Sequence, residues 1–203
     1  MKKIEKYWLP ILTHVAALTP LAVMAWQYAQ GQLSADPIRE ITLRTGKAAL
    51  VLLVLSLACT PVHILFRFRP ALRLRRPLGL YAFLYAALHG LAFVGLDYGF
   101  DLNLILEEVA QKRFVQAGIA ALLLLVPLAI TSTRGWMRRL GKNWKRLHRL
   151  VYVAALVTVV HFIWLAKGDI REPLAYGAVV VVLLVLRLPF VRRAIHGEKN
   201  SRQ

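Results

Sequence analysis

The sequence is short of cysteine and of acid. Its single cysteine, Cys59, lies within an apolar run. No intrachain disulfide can form, and there is no CxxC redox pair. Cys59 reads as a small buried residue. Ten Asp and Glu stand against 27 Lys and Arg, a formal net charge of +17. None of the acids falls within the long apolar runs, where a solute carrier would be expected to keep carboxylates or broken helices. No low-complexity stretch, composition shift or legible internal repeat divides the chain, so it reads as one domain over residues 1–203.

What is present is mostly hydrocarbon. Hydrophobic residues make up 58% of the chain and the mean hydropathy is +0.54. Runs of about 18 or more apolar residues are long enough to cross a bilayer at about 1.5 Å per residue. Several such runs occur, so the chain reads as an all-α, polytopic membrane protein. In a soluble protein the basic excess would point to nucleic acid. Here topology explains it: no nucleic-acid partner is expected, and the surroundings are membrane lipid.

The pattern predicts six transmembrane helices, at about 8–28, 46–66, 78–96, 114–133, 149–166 and 174–191. Lys2, Lys3 and Lys6 precede the first run in the manner of a secretory signal. That run is longer than a signal core and has no convincing small-residue cleavage site, so it reads as the first span. Pro37, Pro70, Pro77 and Pro173 fall in or beside the connections. Twenty of the 27 basic residues lie in the N-terminal segment, the 67–77 and 134–149 connections and the C-terminal segment. Eight of the ten acids lie in the alternate connections: Asp36, Glu40, Asp97, Asp101, Glu107, Glu108, Asp169 and Glu172. By the positive-inside rule the basic set is cytoplasmic, with both termini inside.

Intramembrane histidines carry the chemistry. Uncharged imidazole ligates iron, copper and zinc. His89 is eight residues short of Asp97, about 12 Å below the outer edge of the third span. His161 is six residues short of Lys167, about 9 Å below the outer edge of the fifth. Two imidazoles at matched depth on different helices could hold one haem between them. Hydrogen bonding across a helix interface is the plainer use of either histidine alone.

His148 is 13 residues before His161, about 19–20 Å along a helix, the separation that two stacked haems would need. An ideal helix would leave their side chains about 140° apart. His148 also lies at the basic rim, where a histidine facing lipid headgroups is the plainer reading. Arg75 and Arg76 fall opposite it on the third span, suited to a haem propionate or a flavin phosphate. His63 matches His148 in depth, and His14 lies in the inner half of the first span; either could add a ligand. His196, in the polar tail, reads as solvated. The aromatics Tyr81, Tyr85, Trp144, Tyr152, Phe162 and Trp164 could pack on a cofactor or anchor the interface. The acidic 97–108 segment reads as a solvated loop, with a partner-docking surface as the sharper alternative.

Several short motifs, "RRPLGLYAFLYAALHG" at 75–90, "LAITS" at 128–132, "LGKNWKRLHRLVY" at 140–152 and "HFIWLAK" at 161–167, occur together, with "LACTP" at 57–61 and "KRFVQAG" at 112–118. Over nearly its whole length the chain resembles the MsrQ (YedZ) family of haem-binding membrane subunits of the bacterial periplasmic methionine sulfoxide reductase system. That family lies within the ferric-reductase-like transmembrane group. The resemblance implies b-type haem, one or two per chain, held by His89, His148 and His161, with FMN also associated. It implies residence in the bacterial inner membrane. Electrons would come from a cytoplasmic flavin reductase or quinol and pass to a periplasmic molybdopterin subunit, MsrP, which repairs oxidised proteins. The chain would be an electron-transfer subunit with no catalytic residue of its own. Larger relatives carry two histidines on each of the third and fifth helices. Here the third has one, leaving the second ligand of an inner haem open. The alternatives are a ferric-reductase-like or quinol-linked haem protein with another acceptor, a haem-free small permease, and a scaffold, which gives no reason for depth-matched histidines.

Overall fold

The computed structural model describes residues 4–166 and 168–191, with side chains from Trp8 onward. His196, Lys167 and the terminal basic residues Lys2, Lys3, Arg192, Arg193, Lys199 and Arg202 lie outside the described residues. Among the described residues there is no strand. In order the helices are α1 (Ile4–Ala29), α2 (Pro37–Phe66), α3 (Ala71–Leu91), α4 (Leu102–Gln111), α5 (Arg113–Ile130), α6 (Arg134–Leu140), α7 (Lys142–Leu147), α8 (Leu150–Leu165) and α9 (Arg171–Val185). A π-helical turn, Ala92–Asp97, extends α3.

Among the described residues, five segments are long and apolar enough to cross a membrane: Trp8–Ala29, Pro37–Phe66, Ala71–Asp97, Arg113–Ile130 and Lys142–Leu165. The protein is a multi-pass membrane protein. The sixth expected span, 174–191, corresponds to α9, which has 15 residues and falls short of that length.

Several boundaries differ from the sequence expectation, each for a local reason. α2 begins nine residues early because Pro37 opens it and the Asp36 carboxylate caps it, accepting from the Arg39 N–H at 3.0 Å. It ends on Arg67 in the left-handed region, φ 54°. α3 begins at Ala71, so Arg73, Arg75 and Arg76 are helical and Pro77 lies inside the helix rather than in a connection. Arginine is a good helix former, and its charge had made this turn read as loop. The acidic connection holds α4, whose first turn is capped by Asp101 accepting from Asn103 and Leu104. The basic 134–149 connection folds as two short helices broken at Gly141, φ 49°.

α2 packs most extensively on α3, and α5 on α8; α3 also meets α5, and α8 meets α2. These four helices form a ring in which α3 and α8 lie on a diagonal. Small residues line the contacts: Ala82, Ala154 and Ala155 are at most 1% exposed, letting backbones approach closely. α1 is fastened to α3 near Pro20. The Tyr85 hydroxyl donates to the Ala17 carbonyl at 2.8 Å and accepts from the Leu21 N–H at 3.0 Å. It thereby bridges two groups one helical turn apart on α1.

Candidate functional site

Two histidines meet across the diagonal of the ring. The rings of His89 on α3 and His161 on α8 face each other with centroids 6.1 Å apart and planes at 80°. The depth match read from the sequence is thus a spatial match. Each ring is tied to the helix beside it. His89 Nδ1 lies 2.8 Å from the Thr42 carbonyl of α2. His161 Nδ1 lies 2.6 Å from the Phe114 carbonyl of α5. A carbonyl oxygen can only accept, so each Nδ1 carries the proton and each Nε2 keeps its lone pair. No hydrogen bond to either Nε2 occurs among the described residues. A ring N–H donated to a backbone carbonyl is the usual outer support of a metal-bound imidazole.

The spacing fits one metal between the rings. With metal–imidazole bonds of about 2.0–2.1 Å and a ring centroid about 1.1 Å from its nitrogen, two axial imidazoles place their centroids about 6.3 Å apart. Among the described residues no three of His, Cys, Asp and Glu gather into a metal-binding group. A metal on this pair would therefore bring its other donors from outside the chain, as a porphyrin iron does.

The two halves of the site are copies. From Thr42 to Phe114, from Gly46 to Gly118 and from His89 to His161 the step is 72 residues each time. The helix pairing follows the same rule, α2–α3 matching α5–α8 and α3–α5 matching α8–α2. The sequence carries the repeat after all: "GKAALVLLV" at 46–54 and "GIAALLLLV" at 118–126 agree at seven of nine positions. Leu, Ala and Val dominate both stretches, which hid the match among other apolar runs.

His148 lies elsewhere. It stands at the break between α7 and α8, so the 140° offset expected of one straight helix does not apply. Its Nδ1 is 3.1 Å from the Trp144 carbonyl and its Nε2 is 3.4 Å from the Ser132 hydroxyl. The Trp144 indole stacks on it at 3.8 Å and donates its own N–H to the Thr131 carbonyl. His148 opens on a cavity of about 360 Å³ bordered by Arg75, Arg76, Lys145, Arg149 and Arg187. The 72-residue step places Arg76 at the position equivalent to His148.

The two other described histidines, His14 and His63, are not brought to this cavity. His14 is exposed on α1, its Nδ1 2.9 Å from the Tyr81 hydroxyl. His63 has its Nδ1 buried without a hydrogen-bond partner among the described residues.

Sequence reasoning missed the two carbonyls, the two glycines and Arg187. Arg187 was counted with the basic tail. It reaches back instead, donating to the Leu57 carbonyl at 2.5 Å and to the Tyr152 hydroxyl at 2.9 Å. An arginine closing an apolar run was the available signal. Among the aromatics, Tyr85 is 1% exposed and spent on α1, while Trp164 is 51% exposed.

The family described as "Ferric reductase like transmembrane component" matches residues 45–159, which include His89 and His148 and stop two residues before His161. A protein of Xanthomonas axonopodis pv. citri (strain 306), named protein-methionine-sulfoxide reductase heme-binding subunit MsrQ, is 49% identical over 183 residues, 87% of this chain and 84% of that relative. One of the same name from Rhodospirillum rubrum is 45% identical over 193 residues, 94% of this chain and 93% of the relative. With over half its length matched by the family and close relatives aligned almost end to end, the chain belongs to the MsrQ branch of the ferric-reductase-like transmembrane family.

Proposed function

We propose that this chain is the b-type haem membrane subunit of a periplasmic methionine sulfoxide reductase system. It would cross the bacterial inner membrane six times as a single domain, with both termini cytoplasmic. The observation that carries this reading is the facing pair, His89 and His161, 6.1 Å apart on diagonal helices. Two axial nitrogens without further protein donors suit a porphyrin iron. The names of the relatives support the same group and the same repair system.

Haem held there supplies a one-electron iron couple inside the membrane. His89 and His161 would hold the haem iron through their Nε2 nitrogens. The Thr42 and Phe114 carbonyls keep both rings in the tautomer that presents Nε2. The basic cavity at His148 suits a second anionic prosthetic group, met through phosphate or propionate oxygens by Arg75, Arg76, Lys145 and Arg149. A further haem and FMN share that chemistry. Electrons would enter at the basic face from a flavin reductase or quinol. They would leave at the acidic face to the molybdopterin subunit MsrP, where two electrons and two protons convert methionine sulfoxide to methionine and water.

The test is spectroscopy on protein purified from porphyrin-supplied cells. We expect a low-spin b-type spectrum that loses one bis-imidazole component in His89→Ala and in His161→Ala. Pyridine haemochrome and flavin fluorescence assign the occupant of the basic cavity. A colourless preparation, or full haem in both variants, overturns the reading.

A further inference from the structure

Each of the two facing imidazoles lies close against a glycine of its neighbouring helix, its Nδ1–Cε1 side nearest. A Cβ built on Gly46 would stand 3.0 Å from His89 Nδ1 and 3.1 Å from its Cε1. One built on Gly118 would stand 2.9 Å from His161 Cε1 and 3.0 Å from its Nδ1. The Gly118 distance is one that real Cβ atoms essentially never show, and the Gly46 distances are tighter than nine in ten real contacts. Both glycines sit inside helices, where glycine is a weaker helix former than alanine. Neither has the positive φ that would explain it.

The explanation lies one turn earlier. A helical side chain leans toward the N-terminus and covers the turn preceding its own Cα. The residue four places after a carbonyl therefore screens that carbonyl from a neighbouring helix. Gly46 is four residues after Thr42, and Gly118 is four after Phe114. Those are the two carbonyls that the imidazoles reach. Each carbonyl oxygen has a second lone pair beyond its helical bond, and a glycine at this place leaves it open. The Thr45 hydroxyl, 3.0 Å from the Thr42 oxygen, has one proton and a shorter contact at 2.7 Å to the Ile41 carbonyl.

We propose that Gly46 and Gly118 are positioning residues, each unmasking one carbonyl so that an imidazole from the adjacent helix is locked with Nδ1 protonated and Nε2 presented. The inference rests on the pair being the haem site, but the locking belongs to the protein alone. A methyl at either position pushes one ring away from its carbonyl. A ring that loses this bond becomes a less basic ligand, stabilising ferric iron less. The haem midpoint potential then rises.

Gly177 provides the control. A Cβ there would stand 3.1 Å from Val159 Cγ1, a tight contact close to that at Gly46, with no imidazole involved. Gly46→Ala, Gly118→Ala and Gly177→Ala would be compared in two states. In haem-free protein labelled at histidine, nitrogen-15 NMR reads the tautomer. Gly46→Ala should alter His89 alone, Gly118→Ala should alter His161 alone, and Gly177→Ala neither. In haem-loaded protein, both histidine-side variants should raise the midpoint potential and shift the low-spin electron paramagnetic resonance signal, while the control keeps both. Unchanged histidine resonances in Gly46→Ala and Gly118→Ala, or equal changes in Gly177→Ala, overturn the proposal. A wild type that shows the locked tautomers yet takes up no haem would sink the functional reading and leave this one standing.

Discussion

His161 repeats the setting of His89. Each imidazole reaches a carbonyl 47 residues earlier in the chain and rests on the glycine that follows that carbonyl by four. Neither helix hairpin completes the site. Each supplies one ring with its support, and the two rings meet only where α3 and α8 face each other across the diagonal.

The proposed haem site has both rings holding one iron, so their losses should not add. His89→Ala alone, His161→Ala alone and the double variant should each remove one haem per chain and leave the same residual spectrum. Haem counting on the three variants checks this. A double variant that loses twice as much haem as either single would mean that the histidines serve separate irons.

The sequence announced the outer pair through depth alone. Counting back from Asp97 and from the end of the fifth span put His89 and His161 within one turn of each other, and helical rise is regular enough for that arithmetic to hold. At His148 the same arithmetic meets an unevenly wound helix, since α7 and α8 are joined through His148 and Arg149 rather than by an unbroken ladder. The Trp144 ring stacks on His148 there, with the Ser132 hydroxyl beside it. Arginine-rich turns concealed the first turns of α3, since charge reads as loop whether or not the backbone is helical. The carbonyl contacts were invisible for a different reason. Backbone atoms carry no residue type, and only the spacing of Gly46 and Gly118 relative to the histidines betrays them.

Arg187 should matter more to stability than its place near a basic tail suggests. It joins the end of α9 to α2 through the Leu57 carbonyl and to α8 through Tyr152, over whose ring its guanidinium also lies at 5.2 Å. Hydrogen bonds from charged donors contribute about 1.5–3 kcal/mol each. Arg187→Ala should lower the thermal midpoint in detergent clearly, and Tyr152→Phe should lower it less, because the Leu57 bond survives. Equal stability of Arg187→Ala and wild type would deny the brace.

Tyr85 should fasten α1. Its hydroxyl serves the Ala17 carbonyl and the Leu21 N–H together, in a helix whose ladder Pro20 already interrupts. Tyr85→Phe keeps the ring and its packing but strands both backbone groups away from water. The expected cost is about 1–3 kcal/mol, read by chemical denaturation, with the haem spectrum unchanged. A shifted haem spectrum would mean that Tyr85 acts on the site rather than on α1.

The acidic face offers a titration outside the membrane. Burial, followed by the Glu108 carboxylate beside it, pushes the Tyr98 phenol up to about 12. The Phe93 ring packs on it at 4.8 Å. A raised tyrosine pKa means that the fold favours the neutral phenol. Its contribution is therefore complete below the ordinary value near 10 and is lost as pH climbs from there through about 12. Ultraviolet titration of the tyrosinate band, wild type against Tyr98→Phe, should assign the latest-ionising of the exposed-loop tyrosines to Tyr98. Glu108→Gln should bring that ionisation down only part of the way, since burial is the larger cause and stays. A return to the ordinary value in Glu108→Gln would make the carboxylate, not the buried setting between the end of α3 and α4, the source of the shift.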